Sequence, residues 1–258
     1  MLKDAVKALM PPILLSAFRR LRHGPPKAIE SYRASEYQGV KTRHNARPLH
    51  IGRFAQLHER HCPLDPNVAA DTTRLRHYNL SYFAQRSMHV AGDLAFVGIS
   101  YGVAPRIIFD LLDLGTSSST PKGGGKTMHL VDPFLGIRSS SDRSTLAKYN
   151  ADMNFVRDQY PADAGVKIHA GLIPDCLPIA DRFCFVHLNT GDCKAEALSL
   201  PHFWQRLSPG GVVVIDNYAI DDGHFEDYAA AIAALGVDPF WMPTGQCVVE
   251  KPCTGAAI

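Results

Sequence analysis

From Asp93 onward the chain alternates short continuous apolar runs with longer amphipathic ones. LAFVGI, TMHLVD, VKIHAG, FCFVHL and GVVVID are the short runs. Uninterrupted apolar stretches of that length are what strands buried on both faces require. Around them lie PRIIFDLLDL, STLAKYNADMNFVRDQY, ALSLPHFWQRL and FEDYAAAIAAL, which read as helices. Such alternation predicts an α/β fold. The expected form is a Rossmann-like, doubly wound, mostly parallel sheet with helices on both faces. CVVEK, near the end, is an expected terminal strand. Within this pattern the stretch from Phe185 to Tyr218 runs strand, helix, Ser-Pro-Gly-Gly turn, strand. It places polar groups at the carboxyl ends of two strands, which is where open α/β sheets bind ligands.

The chain has 258 residues, enough for one large α/β domain with an extension. With 46% hydrophobic residues, 20% charged residues and a net charge of +2, it carries no broad basic stripe of the kind nucleic acid requires. The six cysteines are scattered, without a Cys-x-x-Cys pair or zinc-ligand spacing, and suit a reducing, cytoplasmic compartment. No apolar run approaches the ~20 residues of a membrane span. The apolar run PPILLSAF is short and followed by Arg19, Arg20 and Arg22, unlike a signal peptide.

Three regions are expected: residues 1–23, a connector over 24–67, and a catalytic-type domain over 68–258. Residues 1–23 hold five Lys/Arg against one Asp, with apolar residues at helical spacing around Pro11 and Pro12. A basic amphipathic helix of this kind either lies against anionic lipid at the inner membrane face or docks on protein, its own domain or a partner subunit in a homo-oligomer. Residues 68–90 read as a helix with an apolar set including Leu75, Tyr78, Leu80, Tyr82 and Phe83.

The first strand runs into VGISYGV, where Gly98 and Gly102 flank a turn into a helix. Helix N-termini offer free N–H groups to anionic ligand parts. The spacing is not the Gly-x-Gly-x-x-Gly of dinucleotide binders, which disfavours a nicotinamide-dependent oxidoreductase. The second strand ends in Asp132, an acid placed to accept ribose hydroxyls. Together, in this order, they indicate a nucleoside-containing ligand across the strand ends. The GGGKT segment is not a phosphate loop, because Thr120 stands where that motif needs glycine and the strand follows the loop.

GDLAFVGISYG, HLVDPFLG, VKIHAGLIPDCLP, VHLN and LSPGGVVVIDNY fall in the order and approximate spacing of class I S-adenosylmethionine-dependent methyltransferases. The chain resembles most the macrocin O-methyltransferase family, over about residues 70–250. The resemblance implies a sheet with a reversed last hairpin, S-adenosylmethionine as methyl donor, and a hydroxyl acceptor, a small molecule or a glycan. It implies that Gly98, Ile99, Ser100, Tyr101 and Gly102 face the methionine part of the donor. Asp132 would hold the ribose with Phe134 nearby, Gly171, Leu172 and Ile173 would border the adenine, and Asn189 would line the same cleft.

The family's metal site falls on Asn189, Asp216 and Asn217, its catalytic acid on Gly191 with Asp192 one step later, and its first-strand acid on Phe96. Mg²⁺ prefers several anionic oxygens, and amides at two of three ligand positions favour a metal-free site over a metal-dependent one. The candidate bases are then Asp192, Asp216, His187 and His224. Against these stand structural readings: a helix cap for Asp192, a satisfied sheet histidine for His187 and a surface histidine for His224. The resulting expectation is an O-methyltransferase acting on a hydroxyl, on a sugar or lipid-linked glycan. The alternative is a non-catalytic scaffold with a decayed site.

Overall fold

The computed structural model describes residues 35–37, 40–42, 46–66, 70–115, 125–134, 152–177, 182–219 and 222–253. Two compact units separate: Met1–Glu36 with Lys41–Ala46, and Tyr37–Val40 with Arg47–Ile258. The expected basic helix over 1–23 and residues 116–124 of the loop before β4 lie outside the described residues. Short strands β1 (Ser35–Tyr37) and β2 (Val40–Thr42) pair with each other.

The second unit is built on a seven-stranded sheet. Its strands are β3 (Asp93–Val97), β4 (Met128–Asp132), β5 (Val166–Ala170), β6 (Phe183–Leu188), β7 (Leu207–Ile215), β8 (Phe240–Trp241) and β9 (Cys247–Glu250). Their order is β5-β4-β3-β6-β7-β9-β8. Strands β3 to β7 run parallel, and β9 runs antiparallel to both β7 and β8. The reversed final pair is as the resemblance implied. Strand β8, which the sequence analysis did not single out, is two exposed residues at the sheet edge, too short for periodicity to register.

The continuous apolar runs are explained by burial on both faces. Leu94, Phe96, Leu130, Phe185 and Val214 point into one core with Leu80, Ala84, Ile108 and Phe109. Ala95, Val97, Val186, Val213 and Ile215 point into the other with Leu200, Phe203, Tyr228 and Ile232. The first core is covered by α2 (Ala70–Ser87), α3 (Val103–Leu111) and α4 (Met153–Arg157). The second is covered by α5 (Cys193–Arg206) and α6 (Asp222–Ala233).

The expected connector over 24–67 is not irregular throughout. Gly52–His61 form a helix, α1, and Arg47–His50 a 3-10 turn. Phe54 and Leu57 of α1 pack on Val103 and Ile107 of α3. Two histidines, an arginine near each end and a glycine start obscure this helix in the sequence, yet its apolar side seals the outer surface of α3.

Candidate active site

The chain passes from β3 through β4 to β5 on one side, then returns to add β6 and β7 on the other, so the switch point lies between β3 and β6. The pairings Val97↔Val131, Val97↔Leu188 and Leu188↔Ile215 bring the carboxyl ends of four strands level. Every candidate residue except His224 and Asp192 stands on or directly after one of these strands or β5. His224 lies in the first turn of α6, and Asp192 starts α5.

The loop after β3 is held by Asp132. Its Oδ2 accepts the main-chain N–H groups of Ile99 at 2.9 Å and Ser100 at 3.2 Å, and its Oδ1 accepts that of Phe134 at 3.2 Å. Ser100 and Phe134 both take left-handed backbone, at φ 53° and 49°. Such conformations persist where surrounding structure enforces them, and they cluster at ligand sites. Asp132 is 3% exposed. Burial pushes its carboxyl up to about 6, against the three N–H donors that favour the ionised form. Asp132 thus braces the loops after β3 and β4, and Oδ1 retains a lone pair for a further donor.

Gly98 is required by the fold: a Cβ there would lie 2.3 Å from the Asn189 carbonyl oxygen. Its bare side faces the end of β6. The close approach at this glycine is thus between two loops. Gly102, at φ 82°, is the N-cap of α3 and makes no side-chain cap, so the first N–H groups of that helix face the loop uncapped. Ile99 and Tyr101 are buried, and the Tyr101 carbonyl accepts Gln159 Nε2 at 3.0 Å. Gly171 donates its N–H to the Asp132 carbonyl at 3.1 Å. Leu172 is exposed, and Ile173 packs beside the second core.

These residues fit a nucleoside-bearing donor. The Ser100 hydroxyl is buried in the loop without a hydrogen-bond partner. Buried polar atoms are seldom left so, and one here is an open valence for a ligand. The uncapped start of α3 would hold a donor carboxylate, the Gly98–Gly102 loop its chain, and Asp132 with Gly171–Ile173 its nucleoside.

A second cluster joins the ends of β6 and β7. Asn217 Nδ2 donates to Asn189 Oδ1 at 2.9 Å. Arg76, from α2, lies 3.1 Å from Asp216 Oδ2 and donates to Asn217 Oδ1 at 3.2 Å and to the Asp216 carbonyl. Gln246 Nε2 donates to Asp216 Oδ1 at 2.6 Å and is itself fixed beside Asn79, whose Nδ2 reaches Gln246 Oε1 at 3.1 Å. Burial raises the Asp216 carboxyl, but Arg76, His187 and Gln246 outweigh it and hold the group below the ordinary range. His187 is 3% exposed, its Nε2 3.4 Å from Asp216 Oδ1 and its ring 5.9 Å from that of Phe96. It sits inside the sheet on β6, with Nε2 buried and short of a full hydrogen bond. Next to it, burial and His58 drive the His77 imidazole down to about 3.

The set Asn189, Asp216, Asn217 does not fit a divalent metal. The one carboxylate is paired with a guanidinium, and both amide oxygens accept N–H donors. Among the described residues no group of three His, Cys, Asp or Glu is placed to hold a metal ion. Phe96 is fully buried against Phe185 at 5.5 Å between ring centroids, so this position makes a core contact.

The loop after β6 has its own brace. Asp192 caps α5, its Oδ1 accepting the Ala195 N–H at 3.0 Å. Glu196, one turn into the helix and fully buried, accepts the Thr190 hydroxyl at 2.7 Å, the Gly191 N–H at 3.2 Å and the Tyr228 hydroxyl at 2.5 Å. Burial raises its carboxyl, with those donors opposing. Arg76, Gln246 and Glu196 escaped the sequence analysis. The helix-cap reading of Asp192 did not extend to Glu196 one turn on, and nothing marked that Arg76 would meet a residue so distant in sequence.

No protein-family model and no curated protein matches the chain. Solved structures do. The O-methyltransferase NovP superposes at a TM-score of 0.54 with 18% identity, over 71% of this chain and 82% of NovP. CalS11, a calicheamicin methyltransferase, superposes at 0.51 with 11% identity, over 80% of this chain and 96% of CalS11. With the strand order and the reversed last pair, these likenesses show that the chain has the fold of the class I S-adenosylmethionine-dependent methyltransferases.

Proposed function

We propose that the protein is an S-adenosylmethionine-dependent O-methyltransferase acting on a hydroxyl of a small molecule or glycan. The observation that carries this is the Asp132-braced loop over Gly98–Gly102, with its left-handed Ser100 and unpartnered hydroxyl beside an uncapped helix start. The likeness to NovP, an O-methyltransferase, supports oxygen as the accepting atom.

When bound, the donor supplies a methyl on a sulfonium: the new O–C bond forms as the C–S bond breaks, and the electron pair stays on sulfur. The chain's work is to align the acceptor and exclude water. It must also take the proton from the acceptor hydroxyl. His187 lies inside the sheet beside Asp216, which sets it apart from an entering acceptor. Asp192 is exposed on the loop after β6 and uses only Oδ1 as the helix cap, so we assign it the proton. His224, on the first turn of α6, is the second candidate.

Calorimetry with S-adenosylmethionine and with S-adenosylhomocysteine tests the reading. Saturable binding of both is expected, and no heat with either would sink it. Phe96, Asn189, Gly191 and Asn217, standing where the resemblance implied acids, favour a second reading, a non-catalytic scaffold of the same fold. Donor binding without turnover across a panel of sugar hydroxyls would select it.

For residues 1–23 we propose peripheral contact with anionic lipid at the inner membrane face. No described helix is long and apolar enough to cross a membrane. Co-sedimentation with anionic vesicles should weaken with salt and vanish when residues 1–23 are removed. Equal sedimentation of the shortened chain would reject this.

A further inference from the structure

At the ends of β6 and β7 the positive charge comes from the chain itself. Arg76 reaches from α2 to Asp216 Oδ2 at 3.1 Å and Asn217 Oδ1 at 3.2 Å, and it also binds the Asp216 carbonyl. Asn189 Oδ1 is taken by Asn217 Nδ2 at 2.9 Å, and Asp216 Oδ1 by Gln246 Nε2 at 2.6 Å. Every side-chain oxygen at these three positions is already matched with an N–H donor. A divalent ion would need several of the same lone pairs directed at one point, at roughly 2.0–2.6 Å. It would also meet a guanidinium that stays protonated at any working pH.

We propose that the Arg76 guanidinium stands in the place of a divalent cation, so that the site binds its donor and works on its acceptor without metal. This rests on the methyltransferase reading. The substitution is coordinated: the two carboxylates that would have bound metal are amides, and each amide oxygen now serves the network Arg76 organises. Replacing metal by guanidinium changes the chemistry available. A metal ion makes a hydroxyl bound to it directly more acidic, whereas Arg76 offers charge and directed N–H bonds to an acceptor oxygen. The acceptor proton must therefore leave to a carboxylate or imidazole, and Arg76, lacking any acceptor site, cannot receive it.

The test is a Mn²⁺ titration followed by the free-ion signal in electron paramagnetic resonance, on the full chain with and without S-adenosylhomocysteine. No stoichiometric Mn²⁺ is expected in either state, and donor affinity by calorimetry should be unchanged by prior dialysis against EDTA. Stoichiometric Mn²⁺ binding that Asp216→Asn abolishes would overturn the proposal. So would donor binding that requires Mn²⁺ or Mg²⁺. A second arm restores the acids. Asn189→Asp with Asn217→Asp, Arg76 retained, should bind no Mn²⁺, and adding Arg76→Met should create a site. Mn²⁺ bound by the double variant with Arg76 in place would also overturn it. Should the triple variant fail to fold, the wild-type and double-variant titrations decide alone. Failure of the wider reading is separable, since it appears as no donor binding under any metal condition.

Discussion

Asp132 carries two tasks at once. It accepts three main-chain N–H groups from the loops it joins, and burial holds its carboxyl up at about 6, above the ordinary carboxylate range. A raised acid stabilises the fold fully below its unfolded value, and that contribution is lost as pH rises through the folded one. For Asp132 the loss is spread over about pH 4 to 6 and amounts to about 3 kcal/mol. A ribose hydroxyl donating to Oδ1 would favour the ionised form. Donor affinity should therefore climb between roughly pH 5 and 7 and level off above, as calorimetry across that range would show. A flat profile would remove Asp132 from the ribose. Asp192 permits a cleaner separation of roles. Asn caps helices as well as Asp, so Asp192→Asn should keep the melting temperature while transfer falls about 10²-fold or more. Asp192→Ala should lose about 1 kcal/mol of stability as well. Equal turnover of Asp192→Asn and wild type would leave it only a cap. The sequence showed both acids but not how burial and capping divide their duties.

Element α5 shows how secondary structure places the loop after β6. Its cap Asp192 and its buried Glu196 fix Thr190 and Gly191 from the helix side, and Phe203 anchors it to the sheet with its ring 5.6 Å from Phe183. Phe203 is fully buried while Leu198 is 72% exposed on the same helix. Phe203→Ala should cost about 3–5 kcal/mol in urea unfolding, and Leu198→Ala no more than about 0.5 kcal/mol. Similar losses for both would mean that α5 docks with a different face. The helix and its strands were legible because the apolar runs of β6 and β7 and the amphipathic run ALSLPHFWQRL between them are local patterns. Helix α1 was not, since its polar, histidine-rich sequence shows an apolar side only once α3 is there to receive it.

Across the whole molecule, the second unit begins at Arg47 rather than at residue 68, apart from the short Tyr37–Val40 segment. Phe54 and Leu57 cover Val103 and Ile107, and Ile107 is fully buried. A chain beginning at residue 47 should melt close to the full-length protein. One beginning at residue 68 exposes that apolar patch on α3 and should melt several degrees lower. Equal melting of the two would show that α1 adds nothing to the fold. The sequence by itself determined the α/β class, the strand order in time, and the polar residues at the strand ends, because burial on two faces and helical spacing are written in neighbouring residues. It also showed amides, Asn189 and Asn217, where the resemblance implied metal-binding acids. What those positions contact was decided only by tertiary structure. Arg76 on α2, Gln246 before β9 and Asp216 after β7 come together through packing of a helix across a sheet, and their charges acquire meaning only when burial brings them within hydrogen-bond distance.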